Sequence, residues 1–269
     1  MTFVRLGGVA HHVRVDGSGP VCVLAAGLGM SWFDWDRVVP LLAPHRTVVR
    51  FDRPGHGLSE APAAPPTAAG EADRIAGLLD ALRLPGPATV VGHSIAGFHA
   101  EAFARRHPGR TAALVLLDSS VEEHPRASRT APVLARALGA LLCAAGVPAA
   151  LGPAARRLAV RDDPAPPGLV RRVYRSSRVL RGTLDENARY AAVAAELLAL
   201  RERAPLPPGL PVTVLAAPDG SARWERRQRA LARRLGARYE AAEPSGHLVM
   251  LDRPDLVAGA VLRVGQEAA

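Results

Sequence analysis

An apolar run, Ala88-Thr89-Val90-Val91, passes directly into Gly92-His93-Ser94-Ile95-Ala96-Gly97, and this junction restricts the fold more tightly than any other stretch of the chain. The β-branched run reads as a buried strand, and Ile95 to His107 reads as a helix. A serine is therefore held between strand and helix, with small residues two positions before it and two and three positions after it. The turn is so tight that larger side chains there would strike the neighbouring strand or the helix start. Such a strained turn holds a serine hydroxyl exposed at the top of a sheet, the layout of a nucleophile elbow. Ala96 occupies the place where a second glycine is usual, and Gly97 follows it.

The segments around this junction supply a sheet. Residues 2–16 alternate polar and apolar about Gly7-Gly8 and predict an antiparallel hairpin. Val21-Cys22-Val23-Leu24-Ala25-Ala26 is continuously apolar, as central parallel strands are. Thr47–Phe51, Leu114–Leu117 and Val212–Leu215 repeat the pattern. Ile75, Leu78, Leu79 and Leu82 recur at helical spacing, further helices are expected over 221–235 and 254–264, and a short strand over 237–242. Alternation of this kind predicts an α/β fold with a doubly wound, mostly parallel sheet.

Between 121 and 205 the strand-like runs give way to helical ones, at Val133–Leu142, Leu169–Leu180 and Asn187–Leu200, separated by proline-rich breaks. The expected organisation is a core made of 1–120 and 206–269, with 121–205 inserted as a helical cap. Val133–Leu151 is apolar enough to raise a membrane span, but Arg136, Gly139 and Pro148 within it favour a cap helix over a pocket. This cap carries 14 arginines against 8 acidic residues. Most are expected to solvate outer helix faces; Arg171, Arg172 and Arg175 are candidates for a basic rim that attracts anionic substrates.

Composition narrows the function classes. At 269 residues and 48% hydrophobic, the chain can bury one sizeable core. No secretory leader is read at the N-terminus. Cys22 and Cys143 sit in apolar surroundings and are expected to be buried hydrophobes, with neither a disulfide nor a metal site, consistent with a cytoplasmic setting. The net charge of +9 invites a nucleic-acid reading, but all 34 basic residues are arginine and only 4% of residues are aromatic. That pattern fits compositional bias better than a selected binding surface, so neither nucleic acid nor membrane is expected as a partner.

Four segments together carry a resemblance: Ala25-Ala26-Gly27-Leu28-Gly29, Phe51-Asp52-Arg53-Pro54-Gly55-His56-Gly57-Leu58-Ser59, the junction at Ser94, and Ser245-Gly246-His247. In this order they resemble the α/β-hydrolase fold superfamily over nearly the whole chain. A serine hydroxyl needs a base in reach, and the resemblance assigns that role to His247. The imidazole needs an orienting carboxylate; the family order of serine, acid, histidine favours Asp219, and Asp118 at the end of the strand before the cap is the alternative. By resemblance, the backbone N–H groups of Leu28 and Ile95 form the oxyanion hole. Trp32 and His93 are candidate pocket residues, and Trp35 is expected to pack on a helix face. Asp52 is expected to be structural, and His56 structural or pocket-lining.

These expectations describe a hydrolase needing no cofactor or metal, acting on a small-molecule ester of small to medium apolar character. A serine in this place argues against the haloalkane dehalogenase and epoxide hydrolase chemistries, which use an aspartate there. A carbon–carbon bond hydrolase or lyase with the same triad, and a non-catalytic binding member of the fold, remain as alternatives. The oligomeric state is not legible.

Overall fold

The computed structural model describes residues 2–160, 162–218 and 220–267. Strands β1 (Thr2–Leu6) and β2 (Val9–Asp16) form the expected hairpin, closed by Gly7 and Gly8 at positive φ. β3 (Val21–Ala25) and β4 (Thr47–Phe51) follow, with the single-turn helix α1 (Val39–Leu42) between them. Helix α2 (Ala68–Ala81) starts at Thr67, whose side chain accepts from the Gly70 N–H. Next come β5 (Ala88–His93), α3 (Ala96–Arg106) and β6 (Thr111–Leu117). The inserted helices are α4 (Ala131–Ala144), α5 (Val147–Ala159), α6 (Pro167–Tyr174) and α7 (Ser177–Arg203). The chain returns through β7 (Val212–Ala216), α8 (Ala222–Leu235), β8 (Arg238–Ala241), α9 (Val249–Asp252) and α10 (Pro254–Glu267).

The eight strands form one sheet in the order β1-β2-β4-β3-β5-β6-β7-β8, antiparallel at the first two pairings and parallel thereafter. Because strand side chains alternate between faces, each central strand feeds two cores. On one face, Leu114 and Leu116 of β6 join Ile75, Leu79, Phe103 and Leu231. On the other, Val115 and Leu117 join Trp35, Leu42, Met250 and Val261. Trp35 packs there as expected. Cys22 is fully buried, and burial pushes its thiol up to about 12. Cys143 departs from expectation: it is only half-buried, with its sulfur 3.7 Å from the Ser177 carbonyl oxygen, and both cysteines are free thiols.

The insertion differs from its sequence reading in two places. Helix α5 lies outside the three helical runs read from the sequence; its Pro148 sits in the first turn, where its missing N–H is not needed, and Pro153 lies inside it. The helix expected over Leu169–Leu180 is two helices, α6 and α7, separated at Arg175-Ser176. At that break the Tyr174 carbonyl comes so close to Gly152 of α5 that a Cβ there would lie 1.8 Å from its oxygen. Among the described residues no single helix is long and apolar enough to cross a membrane; α4 and α5 meet at 104°.

Candidate active site

β5 delivers Ser94 to the sheet's upper edge in the left-handed region, with φ +54°. This conformation is costly for a non-glycine residue and persists only where its surroundings enforce it. The Ser94 N–H donates to the Leu117 carbonyl at 3.1 Å, and the Ser94 carbonyl accepts from Gly97 and Ser120 N–H at 2.9 and 3.0 Å. The small residues flanking it are required. A Cβ on Gly92 would lie 2.3 Å from the Ala96 carbonyl oxygen, and one on Gly97 would lie 2.0 Å from Ser119 Oγ.

His247 arrives on the loop between β8 and α9 and lines the same cavity as Ser94. Its Nδ1 lies 2.5 Å from Asp118 Oδ2, so the Nδ1–H donates to the carboxylate and Nε2 is left as the basic nitrogen. Asp118 stands just past β6 at φ +38° and is 2% exposed. Its other oxygen accepts from the Ala217 N–H at 3.0 Å and from the Trp224 indole N–H at 2.7 Å. Burial of this carboxylate is thus offset by three donors. Asp219, the favoured acid of the sequence reading, lies outside the described residues. The carboxylate paired with His247 is Asp118, the alternative. Trp224 was not anticipated; only its place one turn into the helix after β7 could have flagged it.

The loop after β3 lies directly over the serine. A Cβ on Gly27 would be 2.6 Å from His93 Nδ1 and 3.2 Å from Ser94 Cβ, so only glycine permits the approach. Among the described residues neither the Leu28 nor the Ile95 N–H is spent on another acceptor. Such free amides beside a serine can hold an oxyanion.

Ser94 and His247 open into a cavity of about 640 Å³ walled mainly by Met30, Leu151, Val160, Val179, Leu180 and Leu248. His93 does line it, but its ring is 1% exposed, and its Nε2–H donates to the His247 carbonyl at 2.8 Å. Burial, then the nearby His247, lower its pKa to about 3, so it stays neutral and braces the His247 loop. Trp32 corrects an expectation, because it does not line the cavity. Its ring packs edge-on against Phe33 and beneath Arg14 and Arg50, while the Trp32 backbone N–H donates to Asp52 Oδ1 at 2.9 Å. Asp52 is structural as expected, accepting also from the Leu58 N–H at 2.9 Å.

Arg171, Arg172 and Arg175 are exposed and do not line the cavity, so the structure places no rim there. The arginine that does line it is Arg156, which was not singled out. It donates to Asp34 and, at 2.8 Å, to Asp163 Oδ2, so its charge is already neutralised.

Serine on a strained elbow, a carboxylate-oriented histidine, free amides and an eight-stranded, mostly parallel sheet define an α/β hydrolase. The chain belongs to the alpha/beta hydrolase family, whose sequence pattern matches residues 22–260. It is similar to the pimeloyl-[acyl-carrier protein] methyl ester esterase of Chromobacterium violaceum, at 40% identity over 40% of this chain and 40% of that one. It is also similar to the 2-hydroxymuconate semialdehyde hydrolase of a Pseudomonas strain, at 36% identity over 44% and 43% of the two chains. The chain spans under half the length of these curated relatives. The enol-lactonase structure from Burkholderia xenovorans superposes over 98% of this chain and 99% of that one, with a TM-score of 0.73 and 26% identity.

Proposed function

We propose that the protein is a serine hydrolase that cleaves esters of small to medium apolar acids. The observation that carries this reading is the Asp118–His247 pair at 2.5 Å in the cavity that also holds Ser94. His247 Nε2 takes the proton from Ser94 Oγ as that oxygen attacks the acyl carbonyl carbon. The carbonyl oxygen becomes an oxyanion held by the Leu28 and Ile95 N–H groups. Protonated His247 then gives its proton to the departing alcohol, leaving an acyl-enzyme on Ser94. Water, deprotonated by His247, attacks the acyl carbon, and the acid leaves as the proton returns to Ser94. Asp118 stays ionised throughout and fixes the imidazole tautomer. The apolar walls and the neutralised Arg156 favour an uncharged acyl group.

A second reading has support from the similarity to 2-hydroxymuconate semialdehyde hydrolase: the same residues cleaving a carbon–carbon bond. The test is a panel of p-nitrophenyl esters of graded acyl length beside a vinylogous diketone, with Ser94→Ala as control. Ester turnover lost in Ser94→Ala, with fluorophosphonate labelling at Ser94, supports the proposal. Diketone cleavage without ester turnover transfers it to the second reading. Absence of both labelling and turnover leaves a binding member of the fold.

A further inference from the structure

The loop bearing Gly27 and Leu28, which lies over the serine, has no polar side chain of its own to brace it. Gly27 cannot carry one, and Ala26 offers only a methyl. The brace comes from Arg53, 4% exposed, in the loop after β4. Its Nη1 donates to the Ala26 carbonyl and its Nη2 to the Gly27 carbonyl at 2.9 Å. Both peptide planes flanking Gly27, the residue type with the greatest backbone freedom, are thereby anchored. The second matters most. The Gly27 carbonyl and the Leu28 N–H belong to one planar unit and point in opposite directions. Fixing the carbonyl on a guanidinium therefore fixes the direction of the N–H, and the positive charge behind it strengthens that N–H as a donor.

Arg53 is in turn held by the inserted cap. Glu186 of α7, 3% exposed, takes Nε at 2.8 Å and Nη2 at 2.9 Å in a bidentate pair. Burial alone would raise the Glu186 carboxyl; Arg53 outweighs it, with His56 adding to the effect, and brings it to about 2. Helix α7 cannot drift from this loop. Gly182 presses on Gly55 so closely that a Cβ would lie 2.9 Å from the Gly55 carbonyl oxygen. Arg178 also donates to the His56 and Gly57 carbonyls at 3.1 and 2.7 Å.

We propose that Arg53 is a positioning residue of the oxyanion hole, aiming the Leu28 N–H, and that Glu186 makes the cap a working part of that hole. The proposal rests on the acyl-transfer reading above. Two variants separate positioning from folding. Arg53→Lys keeps the charge beside Glu186, but a single ammonium cannot serve the carboxylate and both carbonyls at once. The double variant Arg53→Met with Glu186→Leu removes both charges together, so neither is left buried and alone. Each is measured for kcat and KM on p-nitrophenyl butyrate, for Tm, and for inhibition by a trifluoromethyl ketone whose hemiketal oxyanion needs the same hole.

Loss of a whole oxyanion donor typically costs about 10²–10³ in kcat. Misaiming one is therefore expected to lower kcat about 10- to 100-fold with KM nearly unchanged, and to weaken the ketone by a similar factor. Wild-type kcat and ketone affinity in folded Arg53→Lys would overturn the proposal while leaving Ser94-dependent hydrolysis intact. Should the double variant fail to fold, Arg53→Lys alone decides. Hydrolysis that survives Ser94→Ala would instead remove the reading itself, and the proposal with it.

Discussion

At the scale of single residues, the structure pairs His247 with Asp118, the alternative acid of the sequence reading, while Asp219 lies outside the described residues. In the sequence both Asp118 and Asp219 follow an apolar strand-like run, and the order of those runs alone does not say which carboxylate meets the imidazole. The contact favouring Asp118 joins residues 129 positions apart, and Ala217, just past β7, supplies its N–H to the same carboxylate. Asp118→Asn is expected to lower kcat by about 10⁴, because the amide favours the wrong imidazole tautomer. Asp219→Asn should stay near wild type in the same ester assay; the reverse order would restore Asp219 as the acid. Trp224→Phe tests the second layer, since it removes one of the three donors to a carboxylate that must stay ionised. A hydrogen bond to a charged group contributes about 1.5–3 kcal/mol, so a loosened carboxylate should lower kcat roughly 10-fold and Tm should fall by several degrees. The serine and the glycines around it were legible because each answers to local chain geometry, and His247 was singled out by the family resemblance of its segment. Arg53, Arg156 and Trp224 were not, since their partners lie far away in sequence.

At the scale of elements, the strands and the helices of the core follow from apolar runs and 3.6-residue spacing, and the cap follows only in outline. Its helices α4 and α5 carry leucines such as Leu134 and Leu158 that stay exposed, so their apolar pattern does not mark a buried face. Helix α7 reads differently: Val179, Val193 and Leu197 are buried, while Gly182, in its second turn, looks like a defect. The structure explains it as the point where the helix rests on the Gly55 backbone. Gly182→Val must push the two backbones apart, and overpacking of this kind costs about 1–3 kcal/mol. A fall of several degrees in Tm is expected, with a lower kcat as Glu186 is drawn away from Arg53. Gly168→Ala is the matched control, since a Cβ there meets nothing within 4 Å. Equal Tm values for the two variants would show that the close approach does not hold the cap.

At the scale of the whole molecule, acidification acts through buried histidines and through net charge. His93 and His99 are fully buried, and desolvation lowers them to about 3 and about 4 from an ordinary 6.5. Among the described residues both ring nitrogens of His99 lack a hydrogen-bond partner, and burial outweighs the pull of the Glu71 and Glu186 carboxylates toward its charged form. Between those values and 6.5 the unfolded chain binds more protons than the folded one, so stability rises with pH there and is complete above about 6.5. Asp34 works the other way: burial raises it to about 6, so its neutral form favours the fold as pH falls toward 3.8. Two histidines outweigh one aspartate, and below 4.5 Glu186 adds a further loss. Meanwhile a chain already at +9 becomes still more positive as pH falls, and self-repulsion grows. Tm measured from pH 7.5 to 4.5 should therefore fall steadily once pH drops below about 6.5. About 300 mM salt should recover the part due to repulsion, because exposed charges are screened at that strength, and leave the part due to buried histidines. His99→Leu removes one of those histidines without leaving a polar atom unpaired, so its Tm should fall less steeply with acidification than that of the wild type. Parallel slopes for the two proteins would assign the acid sensitivity to surface charge alone.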